Sequence, residues 1–228
     1  MAAAPGAPSE HPAHRLVAIN ASGPGAGKST LAAALVERLT QAGTPARWLS
    51  EQDLIGRAPF ARCSAALRRN DPAAVELFVD AAHALAAEHG GRPETWIVDS
   101  MLPGFAFLLG RYPLARLERY RDEVARALQP LRPLLVYLTG DPAVFLARAE
   151  ARSGPGFAAH VLEAIREISL PHYPSGPVQT EEDMHRLFSW ADAQTRRMLE
   201  GWPGPVRILD PVATTPAGLL AAVLPDLV

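Results

Sequence analysis

The sequence predicts an α/β fold of three layers, with a parallel sheet of about five strands and a helical cap over one edge of the sheet. Two observations predict this fold. Five short apolar runs are typical of buried strands, and sequence with helical periodicity separates each run from the next. Strands that alternate with helices form a parallel sheet covered on both faces. The 228 residues, 48% of them hydrophobic, suffice for one such core, so two independent domains are not expected.

The predicted elements follow one another along the chain in a regular order. Strands are predicted at residues 15–20, 46–50, 95–99, 134–138 and 206–209. A helix is predicted from 28 to about 41, and the long helical stretches 54–90 and 102–130 are expected to form the cap. Ligands of such sheets bind at the carboxyl ends of the strands. We therefore expect the functional residues directly after each strand.

Charge and hydropathy exclude several classes of function. A net charge of -2, a pI near 6.4 and a mean hydropathy of +0.02 favour a small polar ligand over nucleic acid or a membrane. Cys63 has no second cysteine to pair with, so a reducing cytoplasm is expected. Residues 1–14 lack the apolar core of a signal peptide and are interpreted as a disordered tail. A single domain is expected over 15–228.

A glycine-rich segment follows the first predicted strand. Residues 22–29 read SGPGAGKS, Thr30 comes next, and the segment lies at a strand-to-helix junction, as the P-loop motif requires. In such a loop the backbone amides bind polyphosphate together with the helix dipole. Lys28, the only lysine in the chain, is expected to reach the outer phosphates, and the Ser29 hydroxyl to bind magnesium. The expected nucleotide-binding residues of the loop are Gly23, Gly25, Ala26, Gly27, Lys28, Ser29 and Thr30.

Two classes of P-loop protein are disfavoured by what the sequence lacks. Guanine-specific switches use an Asn-Lys-x-Asp element, and no second lysine is present to build one. Motor ATPases carry paired acids at the end of a strand, whereas the third strand here ends in Asp99-Ser100. A small-molecule kinase is therefore favoured. The alternative from another class is a non-kinase NTPase that couples hydrolysis to a protein partner.

The run LLVYLTGDPAVFLARAEAR, at residues 134–152, adds a family resemblance. Together with the phosphate loop it resembles the P-loop nucleoside and nucleotide kinase group, in particular deoxynucleoside and thymidylate kinases. The resemblance implies a three-layer P-loop NTPase fold with ATP and Mg²⁺. It also implies that Arg148 and Arg152 are lid arginines; four residues apart, they share a helix face that can clamp the transferred phosphoryl group. Asp210 and Pro211 correspond to the group's adenine-binding loop.

Three carboxylates are candidates for the chemistry. Glu51 follows the second strand, where deoxynucleoside kinases are similar in carrying the base that accepts the substrate proton. Asp53 is a second candidate, both as the base and as a substrate contact. Asp99 is expected to bind magnesium through water or to orient Ser29. The reverse assignment, with Asp99 as the base, stays open.

The identity of the phosphoryl acceptor is left open by two departures from the group. Ser100 stands where the group has an arginine, and residues 153–156, SGPG, lack the acidic pair that follows the lid arginines. A hydroxyl of a nucleoside-like or other small molecule, such as a sugar, an amino alcohol or an antibiotic, is the expected acceptor. A nucleoside monophosphate is the alternative within the class. The sequence is compatible with a homodimer.

Overall fold

The structure is a computed structural model that describes residues 14–90 and 92–227. The tail predicted at residues 1–14 lies outside the described residues apart from His14, whose backbone carbonyl accepts a hydrogen bond from Thr95.

Five parallel strands form a sheet whose central strand leads into the phosphate loop. The strands are β1 (Leu16–Ala21), β2 (Ala46–Leu49), β3 (Thr95–Asp99), β4 (Pro133–Leu138) and β5 (Val206–Leu209). Their order in the sheet is β2-β3-β1-β4-β5. The predicted strands are confirmed to within one residue at each end. This order places the carboxyl ends of β2, β3 and β1 side by side.

Helices connect the strands and cover the sheet. They are α1 (Lys28–Gln41), α2 (Glu51–Ile55), α3 (Ala58–Arg68), α4 (Ala74–His89), α5 (Phe105–Leu108), α6 (Leu114–Leu128), α7 (Pro142–Ser153), α8 (Phe157–Arg166), α9 (Glu181–Glu200) and α10 (Pro216–Val223), with short 3-10 turns at Gln129–Leu131 and Leu224–Asp226. The predicted α1 has the observed bounds. No helix in the described ranges is both long and apolar enough to cross a membrane.

Alternate side chains of the strands enter apolar clusters on opposite faces of the sheet. In β1, Leu16 and Ala18 join a cluster with residues of α3, α4 and α6, whereas Val17 and Ile19 join one with residues of α1 and α10. Burial on both faces is characteristic of a parallel sheet. The result is the predicted three-layer α/β fold.

The predicted helical stretches 54–90 and 102–130 cover one face of the sheet and part of its edge. Helices α3, α4 and α6 bury apolar side chains in the cluster beside the sheet, for example Phe78 and Leu85 of α4. Phe107, Leu109 and Arg111 line a cavity at the phosphate loop. A separate apolar cluster joins α7, α8 and the first half of α9. We call α8 and residues 181–191 of α9 the lid, because they cover the edge of the sheet at the phosphate loop.

Candidate active site

The phosphate loop runs from the end of β1 to the start of α1 and depends on glycine at two positions. Gly25 has a φ of 85°, and a Cβ atom there would lie 1.9 Å from the backbone oxygen of Phe145 in α7. Gly27 adopts the left-handed conformation just before α1. No side chain of the described residues caps α1. The first amides of this helix are therefore left for a ligand, and a helix N-terminus favours anions.

The start of the loop does not require glycine in the way that Gly25 does. Gly23 has a φ outside the left-handed region, and a Cβ there would meet only Phe188, at 4.0 Å. A side chain would therefore fit at Gly23. Its neighbour Ser22 carries a buried hydroxyl with no hydrogen-bond partner among residues 14–90 and 92–227. This hydroxyl is available to a ligand.

Asp99 joins three elements at the carboxyl edge of the sheet. The carboxylate is 3% exposed. It accepts a hydrogen bond from the Ser29 hydroxyl at 2.7 Å on one oxygen and from the backbone amide of Glu51 at 2.8 Å on the other. Both oxygens are thus engaged in fixing the start of α1 and the start of α2. Through the first of these bonds Asp99 orients the Ser29 hydroxyl.

Lys28 and Glu51 lie together beside this junction. Burial lowers the pKa of Lys28, and the charges of Glu51 and Asp99 oppose that shift, while Arg152 adds to it. The four charged groups therefore lie within electrostatic reach of one another. Lys28 and Glu51 also line the same cavity, which neither Asp53 nor Asp99 lines.

Asp53 has a structural partner. Its carboxylate accepts hydrogen bonds from the Ser50 amide at 2.9 Å and the Ser50 hydroxyl at 2.7 Å, and the Asp53 amide donates to that hydroxyl. These bonds form a capping box at the start of α2, and they lower the pKa of Asp53. Asp53 therefore acts as a helix cap, whereas no hydrogen bond or ion pair within residues 14–90 and 92–227 engages the carboxylate of Glu51.

The two arginines predicted as a clamp both lie on α7. Arg148 donates a hydrogen bond to the backbone oxygen of Pro211 at 3.2 Å and thus connects α7 to the loop after β5. The positive charge of Arg152, one turn later, adds to the lowering of the pKa of Lys28. The clamp formed by both side chains stays a prediction.

A cleft of about 500 Å³ lies on one side of the phosphate loop. We call it the α10 cleft; its walls are Gly25, Ala26, Gly27, Thr30, Leu31, Ala34, Arg148, Leu219 and residues 211–216. Asp210 does not line it. Instead, its carboxylate accepts hydrogen bonds from the amides of Val212 and Ala213 at 2.7 and 3.2 Å, which shapes the loop that does.

A cavity of about 430 Å³ lies on the other side of the loop, under the lid. We call it the lid cavity. Its polar and charged wall residues are Asn20, Ser22, Lys28, Glu51, Ser100, Arg111 and His160. Apolar side chains form the remaining wall, mainly Phe107, Leu109, Val161, Ile165, Ile168, Leu170, Leu187 and Phe188.

An unusual turn after β3 shapes this cavity. Ser100 and Met101 both have positive φ values, 64° and 56°, which non-glycine residues adopt at an energetic cost. The Asn20 amide donates a hydrogen bond to the backbone oxygen of Leu102 and helps to hold the turn. No sequence motif marks Asn20, Arg111 or the lid residues as site residues, because they meet only in the folded chain. Ser100 has one local signal, its position directly after a strand.

Comparison with known proteins supports the fold. No family model and no curated protein matches the sequence. A solved deoxyadenosine kinase from M. mycoides with bound dATP is 14% identical, covers 93% of this chain and 98% of its own, and superposes with a TM-score of 0.52. The YorR protein from Bacillus subtilis, in complex with phosphorylated GDP, is 15% identical over 92% of this chain and 93% of its own, with a TM-score of 0.49. The chain therefore has the three-layer P-loop fold that the deoxyadenosine kinase also adopts.

Proposed function

We propose that the protein is a kinase that transfers the γ-phosphoryl group of ATP to a hydroxyl of a small molecule. One observation carries this proposal: Lys28 of the phosphate loop and Glu51 line one largely apolar cavity. An acceptor bound there would meet a base and a phosphate-binding cation together. Cavities of this kind, with few polar groups in an apolar wall, are typical of small-molecule sites.

In the proposed reaction, the acceptor hydroxyl oxygen attacks the γ-phosphorus. The bond from that phosphorus to the bridging oxygen breaks, ADP leaves, and the hydroxyl proton passes to the Glu51 carboxylate. Lys28 and Arg152 place positive charge where negative charge is transferred. Asp99 holds Ser29 and the start of α2, which positions Glu51 relative to the loop.

The residues at this junction also fit a magnesium ion that arrives with the nucleotide. The hydrogen bond between Ser29 and Asp99 brings a hydroxyl and a carboxylate together beside the loop. Magnesium in phosphate sites takes one or two protein ligands and keeps several waters. The described residues contain no group of three or more His, Cys, Asp or Glu that could hold a metal, so phosphate oxygens would have to complete its shell. When bound, the ion neutralises phosphate charge.

The α10 cleft supports the placement of the donor. Arg148 and the loop after β5 enclose space next to Gly25, Gly27 and Thr30. We assign the adenosine part of ATP to this cleft and its phosphates to the loop. Asp210 would then act by shaping the loop, and Pro211 by anchoring Arg148.

An ADP-release assay tests the proposal. The acceptors are nucleosides, nucleoside monophosphates, sugars and amino alcohols including aminoglycosides, each with ATP and Mg²⁺. The kinase proposal predicts slow release without an acceptor and fast release with one acceptor class, and Lys28→Ala should abolish the fast release. Lys28→Arg should also fail, because a guanidinium is broader than an ammonium.

Other results would replace the proposal. Equal release with and without every acceptor, or stimulation only by an added protein, would favour the non-kinase NTPase. Phosphorus NMR of the product separates the two kinase alternatives, because a hydroxyl acceptor gives a phosphomonoester and a nucleotide acceptor gives a phosphoanhydride.

A further inference from the structure

Arg111 is a cation of the lid cavity that the proposed phosphoryl transfer does not use. It follows α5 and is partly buried, and it lines the cavity. Its surroundings differ from those of Lys28 and Glu51. The residue before it, Gly110, packs against Leu170 and Tyr173, and the backbone oxygen of Gly110 accepts a hydrogen bond from His172.

One nitrogen of the Arg111 guanidinium is fixed by the protein. Nη1 donates to the backbone oxygen of Leu67 at 2.8 Å and to Oδ1 of Asn70 at 2.9 Å. These two bonds use both hydrogens of Nη1. Across residues 14–90 and 92–227, neither Nε nor Nη2 of Arg111 donates to a protein acceptor. The edge formed by Nε and Nη2 is therefore held in place but unused.

The charge of Arg111 is also uncompensated. No ion pair in the described part of the chain includes this residue, and the polar groups that hold Nη1 are neutral. Burial lowers the pKa of Arg111, with only Tyr112 opposing that shift. By contrast, the neighbouring Arg116 lies 2.6 Å from the Glu76 carboxylate. A partly buried arginine with no carboxylate partner is suited to an anion that comes from outside the protein.

We propose that Arg111 binds an anionic group of the acceptor through Nε and Nη2. This deepens, and rests on, the proposed function: the acceptor is a hydroxylated organic anion whose hydroxyl lies near Glu51 and whose apolar body contacts Leu109 and Leu170. Carboxylates and phosphates both match this edge, because each offers two oxygens to its parallel N–H groups.

Two dyes with the same apolar body test this without any phosphoryl transfer. 8-Anilinonaphthalene-1-sulfonate carries an anion, whereas N-phenyl-1-naphthylamine carries none. For the wild-type protein, both dyes should fluoresce on binding. Arg111→Gln should weaken sulfonate-dye binding at least about tenfold, the value of a charge-assisted hydrogen bond, and leave the neutral dye unaffected.

Matched variants separate the anion contact from other causes. Arg116→Gln changes a nearby arginine that does not line the cavity and should leave both affinities unchanged. Asn70→Gly removes one bond to Nη1 while suiting the left-handed φ of 52°, and it should retain the sulfonate dye. If Arg111→Gln does not fold, Arg111→Lys is the second variant, because it keeps the charge but loses the two-donor edge. It should weaken binding of the sulfonate dye and leave binding of the neutral dye unchanged.

Several outcomes would overturn the proposal. Failure of the wild type to bind the sulfonate dye at all would exclude an anion site. Equal weakening of the binding of both dyes in Arg111→Gln would point to a general loss of the cavity. Finally, loss of sulfonate-dye binding in Lys28→Ala while Arg111→Gln retains it would assign the anion to Lys28. Displacement of the dye by benzoate or by phenyl phosphate identifies the preferred anion. Because dye binding needs no ATP, a failed ADP-release assay and a failed anion site give different results.

Discussion

The α10 cleft and the lid cavity share the phosphate loop but are built from different parts of it. Gly25, Ala26, Gly27 and Thr30 face the cleft, where backbone and the loop after β5 form much of the wall. The lid cavity uses Lys28 together with side chains from distant elements. A wall formed by backbone depends on the conformation of the chain, whereas a wall formed by side chains depends on their chemical groups. Substitutions should therefore act differently on the two sites.

The largest expected effect is on the loop conformation itself. Gly25→Ala would place a Cβ atom 1.9 Å from the backbone oxygen of Phe145, so the loop cannot keep its shape, and ATP binding should fall below detection. Gly23→Ala is the matched control, because its Cβ would meet only Phe188, at 4.0 Å. Calorimetric titration with ATP measures both variants. Equal affinities would contradict the conformational requirement.

The next effect should be confined to the lid cavity. Glu51→Gln keeps the shape of the side chain, and we expect a loss of roughly 10²- to 10⁴-fold in kcat with ATP affinity retained, the contribution of a positioned base. Asp53→Asn is the control, since Asp53 only caps α2 and should lower stability slightly without changing kcat. Steady-state rates with the acceptor found by ADP release decide this. A large kcat loss in Asp53→Asn would restore it as a candidate base.

Substitution of Asp99 should change the magnesium requirement, whereas substitution of Glu51 should change the rate. Asp99→Asn replaces a carboxylate that accepts two hydrogen bonds with an amide that holds the water shell of magnesium less strongly. We expect a higher magnesium requirement for Asp99→Asn and a rate loss at all magnesium concentrations for Glu51→Gln. A magnesium titration of both variants that gave the reverse pattern would make Asp99 the base.

The two arginines of α7 offer a smaller test across both sites. Arg148→Ala removes the contact with Pro211 and should raise KM for ATP, by about tenfold for one charge-assisted hydrogen bond, with little change in kcat. Arg152→Ala removes a charge near Lys28 and should lower kcat instead. A loss of kcat in both variants would instead support the single clamp that their spacing predicts.

The smallest expected effect is on the stability of the whole fold, so it does not distinguish the two sites. Burial lowers the pKa of His89, whose ring stacks on that of Trp96 in β3 with 4.3 Å between the ring centroids. Because the folded state favours neutral His89, stability should be full above its ordinary pKa of 6.5 and fall as pH drops through the lower folded value. Melting curves of His89→Gln should lose part of this acid sensitivity, whereas those of the exposed His83→Gln should keep it all.

The sequence predicts features that arise from neighbouring residues better than features that arise from contacts between distant parts of the chain. The strands, α1 and the phosphate loop arise from local patterns of apolar residues and glycine, and they are found where expected. The contact of Arg148 with Pro211 depends on which loop this side chain meets across the fold. Arg111 is positioned by Leu67 and Asn70, more than 40 residues earlier in the chain. No periodicity or motif carries that information.

The close contact between Gly25 and Phe145 also links the phosphate loop to the loop after β5. The backbone of the phosphate loop packs against the backbone of α7 at Phe145, one turn before Arg148. Arg148 in turn donates a hydrogen bond to the backbone oxygen of Pro211, in the loop after β5. A side chain at Gly25 that displaced α7 would therefore also disturb the contact between Arg148 and Pro211, so a single methyl group would reach two walls of the α10 cleft.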